Sequence, residues 1–215
     1  MEEVLPSVHR ILPSKQTPTK YISFLVTRDR RPDGSGNLLF PCFGSHSSIE
    51  SSFDAIEALG GITHQLLGDM HFAAKYNDDV FARFGAKTHC SEVEAPDVQR
   101  KVEHVEVFAF ESHDVVDGVT AIPTPGHRPG AVGYLVAIGG RRHLFAGDTL
   151  YHDGNRWRCF TSKRNRKTML ATLDMLAGIP FHVLLANTRI DNPVCHVDLD
   201  TDSRRALLEA IKSAT

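Results

Sequence analysis

Nothing in the chain is apolar over a length that approaches a bilayer span. The opening MEEVLPSVHR carries acids where a secretory leader carries a basic region and an apolar core. A soluble protein of the cytoplasm, with no membrane partner, is the expectation. Cysteine is sparse: Cys42, Cys90, Cys159 and Cys195 stand far apart and form no CxxC pair, which argues against a zinc knuckle or a dithiol redox motif. Reduced, mostly buried thiols remain. An excess of one charge is also lacking, because 24 Lys and Arg face 26 Asp and Glu for a formal charge of −2. Net charge therefore gives no pull toward nucleic acid or an acidic membrane, and any anion binding has to come from a local patch. No internal repeat, low-complexity run or long linker interrupts the sequence, and nothing in it reports an oligomeric state.

What is present is enough for a core. With 215 residues, 41% of them apolar, the chain is expected to form a single domain over 1–215. Short apolar runs bounded by turn residues predict strands in YISFLV from Tyr21, NLLFPC from Asn37, HQLLGD from His64, AKTHC from Ala86, VEVFAF from Val105, VTAIPT from Val119, AVGYLVAI from Ala131, RHLFAGD from Arg142 and FHVLLAN from Phe181. Helical spacing of apolar residues predicts helices in IESSFDAIEALGG, AAKYNDDVFARFGA, TMLATLDMLAG from Thr168 and DTDSRRALLEAIKSA, the first two closing on glycine. Sheets with helices packed outside them follow, an α/β architecture. From Val105 to Asp148 the strands come consecutively, with tight turns at Asp117-Gly118 and Gly139-Gly140, so that portion is expected to be antiparallel. RPDGSGN before Leu38 reads as a hairpin loop.

Three segments, each just after a predicted strand, concentrate donors for a divalent cation. In Asp69-Met70-His71, alternation along an extended chain would put the carboxylate and the imidazole on one side. In TPGHRPGAVGYL, two Pro-Gly turns bracket His127 and hold its ring in place. In LFAGDTLYHDG, Gly147 permits close backbone approach and Asp148 ends an apolar strand, where an acid is unsuited to a core.

In this order and spacing the three segments resemble the metallo-β-lactamase superfamily, most closely from LLGDMH through GDTL. The resemblance implies a four-layer αββα sandwich and, for most members, hydrolysis with one or two zinc, iron or manganese ions. The family motif runs H-x-H-x-D-H, then a histidine in a PGH turn, an aspartate in a GD turn and a final histidine. His71, His127 and Asp148 match it. Asp69 stands in the place of the first histidine, Ala73 of the motif aspartate and Ala74 of the next histidine, and the last histidine would fall near Asn187 or Thr188. These losses strip the second ion of its ligands apart from the shared Asp148, whereas the first ion keeps two imidazoles and gains the Asp69 carboxylate. The resemblance thus implies one divalent metal, zinc, iron or manganese, at Asp69, His71, His127 and Asp148, with metal-bound water attacking a small ester, thioester or amide. Asp148 is the remaining acid for a base, with His152 beside it if TLYHDG folds inward.

A plainer account stands next to this one: a metal-free, non-catalytic relative that binds a small molecule or protein in the same place. In it Ala73 and Ala74 simply form the first turn of a helix and Asp69 pairs with His71 or His127. His46 and Cys42 are read either as residues near the site or as bystanders, and His64, His89, His104, His113, His143, His182 and His196 read as structural. The segment NRWRCFTSKRNRK gathers Arg156, Arg158, Lys163, Arg164, Arg166 and Lys167 around Trp157 and Phe160. A solvated loop explains it, and nucleic acid is not expected as a partner; with His152, the residues Arg158 and Lys163 are the candidates for contact with an anionic small-molecule substrate.

Overall fold

The structure, a computed structural model, describes residues 1–12, 21–42, 49–186 and 192–215. They divide into two compact units, one from Met1 to Ala109 and the other comprising the described residues of 110–186 and 192–215.

The first unit is built on a seven-stranded sheet. Strands β1 (Glu2–Leu5), β2 (Val8–Ile11), β3 (Ser23–Val26) and β4 (Leu38–Phe40) pair antiparallel in sequence, with RPDGSGN in the β3–β4 connection as expected. Helix α1 (Phe53–Ala58) leads to β5 (His64–Leu66), α2 (Lys75–Phe84) to β6 (Lys87–Ser91), and the one-turn α3 (Ala95–Val98) precedes β7 (Val105–Phe108). From β4 to β7 the strands run parallel. The expectation that Val105–Phe108 opens an antiparallel stretch is therefore corrected: it is a parallel edge strand of this sheet. Its crossover helix is too short to show a helical period, so no local pattern marks the parallel return.

Helix α2 is anchored by a buried amide pair. Asn77 accepts the Ala74 N–H at 2.8 Å and donates to Gln65 at 3.1 Å, while Gln65 donates to the carbonyls of Asn77 and Ala86 at 2.9 and 2.8 Å. These bonds fix the helix start against β5 and β6, and Gly85 ends the helix at φ +72°. Around them Ile11, Leu25, Leu39, Ile56, Tyr76 and Val80 close one core.

On adjacent parallel strands of the same sheet, His64 Nδ1 and His89 Nε2 lie 2.8 Å apart, sharing one hydrogen bond. Burial holds the His89 pKa down, at about 4 against an ordinary 6.5, with the His64 ring and Lys87 pushing the same way and Glu106 opposing. His64 is lowered too, by burial and Arg28, against Asp33 and Glu106. Imidazoles whose folded pKa is depressed bind protons more readily unfolded, so stability is complete above about pH 6.5 and falls as the pH drops toward 4. At 1.36 kcal/mol per pKa unit the full loss from His89 is on the order of 3 kcal/mol. Denaturant midpoints measured from pH 7 to pH 4.5 are expected to show it, and the slope to flatten in His89→Asn; an unchanged slope in that variant would remove the pair as its source.

The second unit carries a six-stranded sheet. Strands β8 (His113–Val116), β9 (Val119–Pro123), β10 (Val132–Ile138) and β11 (Arg141–Phe145) form an antiparallel meander through the two expected glycine turns. A separate hairpin, β12 (Leu150–His152) and β13 (Trp157–Cys159), follows; then α4 (Arg166–Ala177), β14 (Val183–Leu185) parallel to β11, β15 (His196–Asp198) on the sheet edge, and α5 (Thr201–Ser213). Asp200 caps α5 by accepting the Ser203 N–H at 2.8 Å. Leu144, Met169, Leu173, Phe181, Leu208 and Ile211 form the core between these elements. The mixed α/β class expected from the sequence is the class observed. Among the described residues no helix is long and apolar enough to cross a membrane.

Candidate metal centre

Past β5 the chain does not stay extended, which corrects the geometry expected for Asp69 and His71. Residues Met70–Phe72 form a 3₁₀ turn and Asp69 is its N-cap. The carboxylate converges with the imidazole through this cap rather than through strand alternation: Asp69 Oδ1 accepts the His71 N–H at 2.7 Å and stands 3.1 Å from His71 Nδ1. Asp69 is buried, whereas the His71 side chain is 45% exposed. Met70, between the two, is held at both main-chain groups. Its N–H donates to the buried Glu94 carboxylate at 3.2 Å and its carbonyl accepts from Lys101 Nζ at 3.0 Å. Neither Glu94 nor Lys101 had a motif that would have marked it.

In the second unit the Pro125-Gly126 turn presents His127. Gly126 sits at φ +139°, and its backbone presses so closely on α4 that an added Cβ would lie 2.8 Å from the Met169 Cα. Thr172 donates to the Pro125 carbonyl at 2.6 Å and Thr161 to the Gly126 carbonyl at 3.0 Å. His127 Nδ1 lies 3.2 Å from the Phe160 carbonyl. A carbonyl can only accept, so Nδ1 carries a proton and donates it. Nε2 faces Asp148, 3.7 Å from Oδ2. The Asp148 turn follows β11 through Gly147 at φ +53°, and the buried Thr124 and Thr149 hydroxyls, 2.9 Å apart, tie it to the His127 turn. A ring oriented through one nitrogen by a main-chain oxygen is the usual preparation of a metal-binding histidine.

Each unit thus places one candidate histidine beside one candidate aspartate: His71 with Asp69 in the first, and His127 with Asp148 in the second. Donors around a tetrahedral ion at about 2.0–2.1 Å stand roughly 3.3 Å apart. The contacts of 3.1 and 3.7 Å bracket that spacing. An imidazole beside a carboxylate, as each unit presents, is a donor pair suited to zinc, iron(II) or manganese.

The proposed substrate contacts lie on the β12–β13 hairpin and in the turn that follows it. His152 lies on β12 with its ring edge-on to Trp157 at 5.4 Å, and its Nδ1 accepts the Gly154 N–H at 3.2 Å. Arg158 pairs with Asp153 and lines a cavity of about 190 Å³ with Cys159, Thr161, Ile211, Ala214 and Thr215. Lys163 opens a 3₁₀ turn capped by Ser162. His46, Asn187 and Thr188 lie outside the described residues.

No family model and no curated protein sequence matches the chain. Solved structures do. A HARLDQ-motif mutant of the metallo-β-lactamase from Cronobacter sakazakii (Enterobacter sakazakii) is 18% identical over 99% of this chain and 93% of its own, with a TM-score of 0.66. A metallo-β-lactamase family protein from Thermus thermophilus is 17% identical over 99% of this chain and 80% of its own, at 0.65. MEM-A1, a subclass B3 metallo-β-lactamase isolated from a soil metagenome library, is 15% identical over 99% and 92%, at 0.67. The chain has the metallo-β-lactamase fold.

The two alanines that follow the Met70–Phe72 turn belong to the core. Ala73 is wholly buried and packs in a cluster with Cys42, Leu67, Phe72 and Cys90, and Ala74 packs with Ile56, Tyr76 and Val80. Neither lies in a helix's first turn, as the plainer account expected: both are extended, Ala74 is the N-cap residue, and α2 begins at Lys75. Asn77 substitutes for a capping side chain by taking the Ala74 N–H.

Proposed function

We propose that the protein is a mononuclear, metal-dependent hydrolase of small ester, thioester or amide substrates, its ion held by Asp69, His71, His127 and Asp148. The observation that supports this reading is that both candidate donor pairs stand near the spacing of neighbouring metal ligands, 3.1 Å for Asp69 and His71 and 3.7 Å for His127 and Asp148. A divalent ion supplies Lewis acidity there and an activated water at neutral pH. Asp148 supplies the base. With Ala73 in the place of the family's motif aspartate, it is the carboxylate left to take the water's proton as oxygen attacks the carbonyl carbon and the bond to the alcohol, thiol or amine breaks; the leaving group then collects that proton. His127, fixed by Phe160, Thr161 and the Pro125-Gly126 turn, keeps its position while this happens. A small anionic substrate contacting His152, Arg158 and Lys163, no nucleic acid, and a cytoplasmic setting consistent with four free thiols complete the proposal.

A metal-free binder is the second reading, favoured by one feature. Asp69 already satisfies the His71 N–H as a turn cap, so its carboxylate has a structural use without any ion. Protein purified without chelator separates the two. About one equivalent of zinc, iron or manganese per chain, with turnover on a panel of esters, lactones and thioesters that falls about 10²- to 10⁴-fold in Asp148→Asn, is expected for the hydrolase. Protein that takes up no metal is the binder, and unchanged turnover in Asp148→Asn removes Asp148 from the chemistry.

A further inference from the structure

Large apolar side chains exposed singly on a surface are ordinary. Phe160 differs in how it is held. Its ring is 56% exposed, the most of any large apolar side chain described. Yet its main chain is tied at both ends to the segments that carry the second unit's two candidate ligands: its N–H donates to the Thr149 carbonyl, next to Asp148, at 3.4 Å, and its carbonyl accepts from His127 at 3.2 Å. The following residue, Thr161, grips the Gly126 carbonyl. The ring itself meets the His127 ring edge-on at 4.7 Å between centroids and the Tyr151 ring at 6.0 Å. An exposed aromatic face is thus pinned one ring away from a candidate metal ligand, so little further freedom is lost when something stacks on it.

We infer that Phe160, with Tyr151 beside it, selects the substrate: it receives a flat apolar group, such as an aryl ring, attached to the scissile carbonyl. This rests on the hydrolase reading. The carbonyl and N–H that hold His127 and Thr149 are main-chain groups, so changing the side chain leaves the brace in place and removes only the face. Exposed ring edges gain from offset or edge-to-face contact, and one such aromatic pair changes affinity by about five- to tenfold.

The experiment uses zinc-loaded protein and two product-like probes, acetate and phenylacetate, titrated by calorimetry. Phenylacetate is expected to bind about five- to tenfold more tightly than acetate. That preference disappears in Phe160→Ala, survives in Phe160→Tyr, and leaves zinc content the same in all three proteins. Equal affinities for the two probes in the parent protein, or a preference that persists in Phe160→Ala, overturns the inference while the hydrolase reading stands. Failure of the parent to take up zinc, iron or manganese overturns the hydrolase reading and this inference with it.

Discussion

His127→Ala is expected to weaken zinc binding by at least about 100-fold while leaving the protein folded. Loss of a residue that only orients a ligand costs about 10- to 100-fold in affinity, and removing the ligand costs more. His127 is the donor with the most preparation behind it. Its Nδ1 proton is committed to Phe160, its turn is braced by Thr161 and Thr172, and its Nε2 faces Asp148. His71, by contrast, is nearly half exposed and lies on a turn of three residues, so His71→Ala is expected to cost less than His127→Ala. Competition titration against a chromophoric chelator measures both. Equal affinity for zinc in the parent and His127→Ala proteins would place the ion elsewhere or nowhere.

The same contrast explains what was legible beforehand. The PGH and GD segments announced themselves because a glycine forced to positive φ is a conformational need that survives in the sequence, and both Gly126 and Gly147 meet it. The longer strands were visible as apolar runs. The strands EEVL, HDVV, LYH, WRC and HVD were not, being three or four residues long with polar residues mixed in; each exists because a neighbouring strand supplies its ladder, as Leu185 does for His196. Asp69 and His71 were paired correctly for the wrong geometry. The spacing of an acid and a histidine two residues apart fits an extended strand and a capped 3₁₀ turn equally, and only Glu94 and Lys101, far along the chain, decide for the turn. Long-range braces of that kind leave no local pattern to read. The burial of Ala73 and Ala74 is equally silent, because it depends on residues from other elements.

Gly126→Ala is expected to have the largest effect of any single methyl group added to the protein. Two costs coincide at this position. The backbone lies at φ +139°, which L side chains rarely adopt, a strain on the order of 1–3 kcal/mol. The new Cβ would also meet Met169 at 2.8 Å from Cα and 2.9 Å from Cβ, and forced overpacking of a core adds about 1–3 kcal/mol. Because backbone of α4 is part of the clash, Met169→Ala, which removes only the side chain beyond Cβ, is not expected to rescue it. The chain relieves the contact by moving the turn, and the turn carries His127. Stability and zinc affinity should therefore fall together, by about 3 kcal/mol or more and by about 10- to 100-fold, the latter matching the loss of an orienting contact. Gly139→Ala is the control, with φ +57° at the β10–β11 turn and nothing within 4 Å of an added Cβ. It carries the backbone cost alone, roughly 1 kcal/mol, with zinc affinity unchanged. Denaturant unfolding and zinc titration of the two variants side by side measure the difference; if Gly126→Ala behaves like Gly139→Ala, the close approach of the turn to α4 does not set the position of His127.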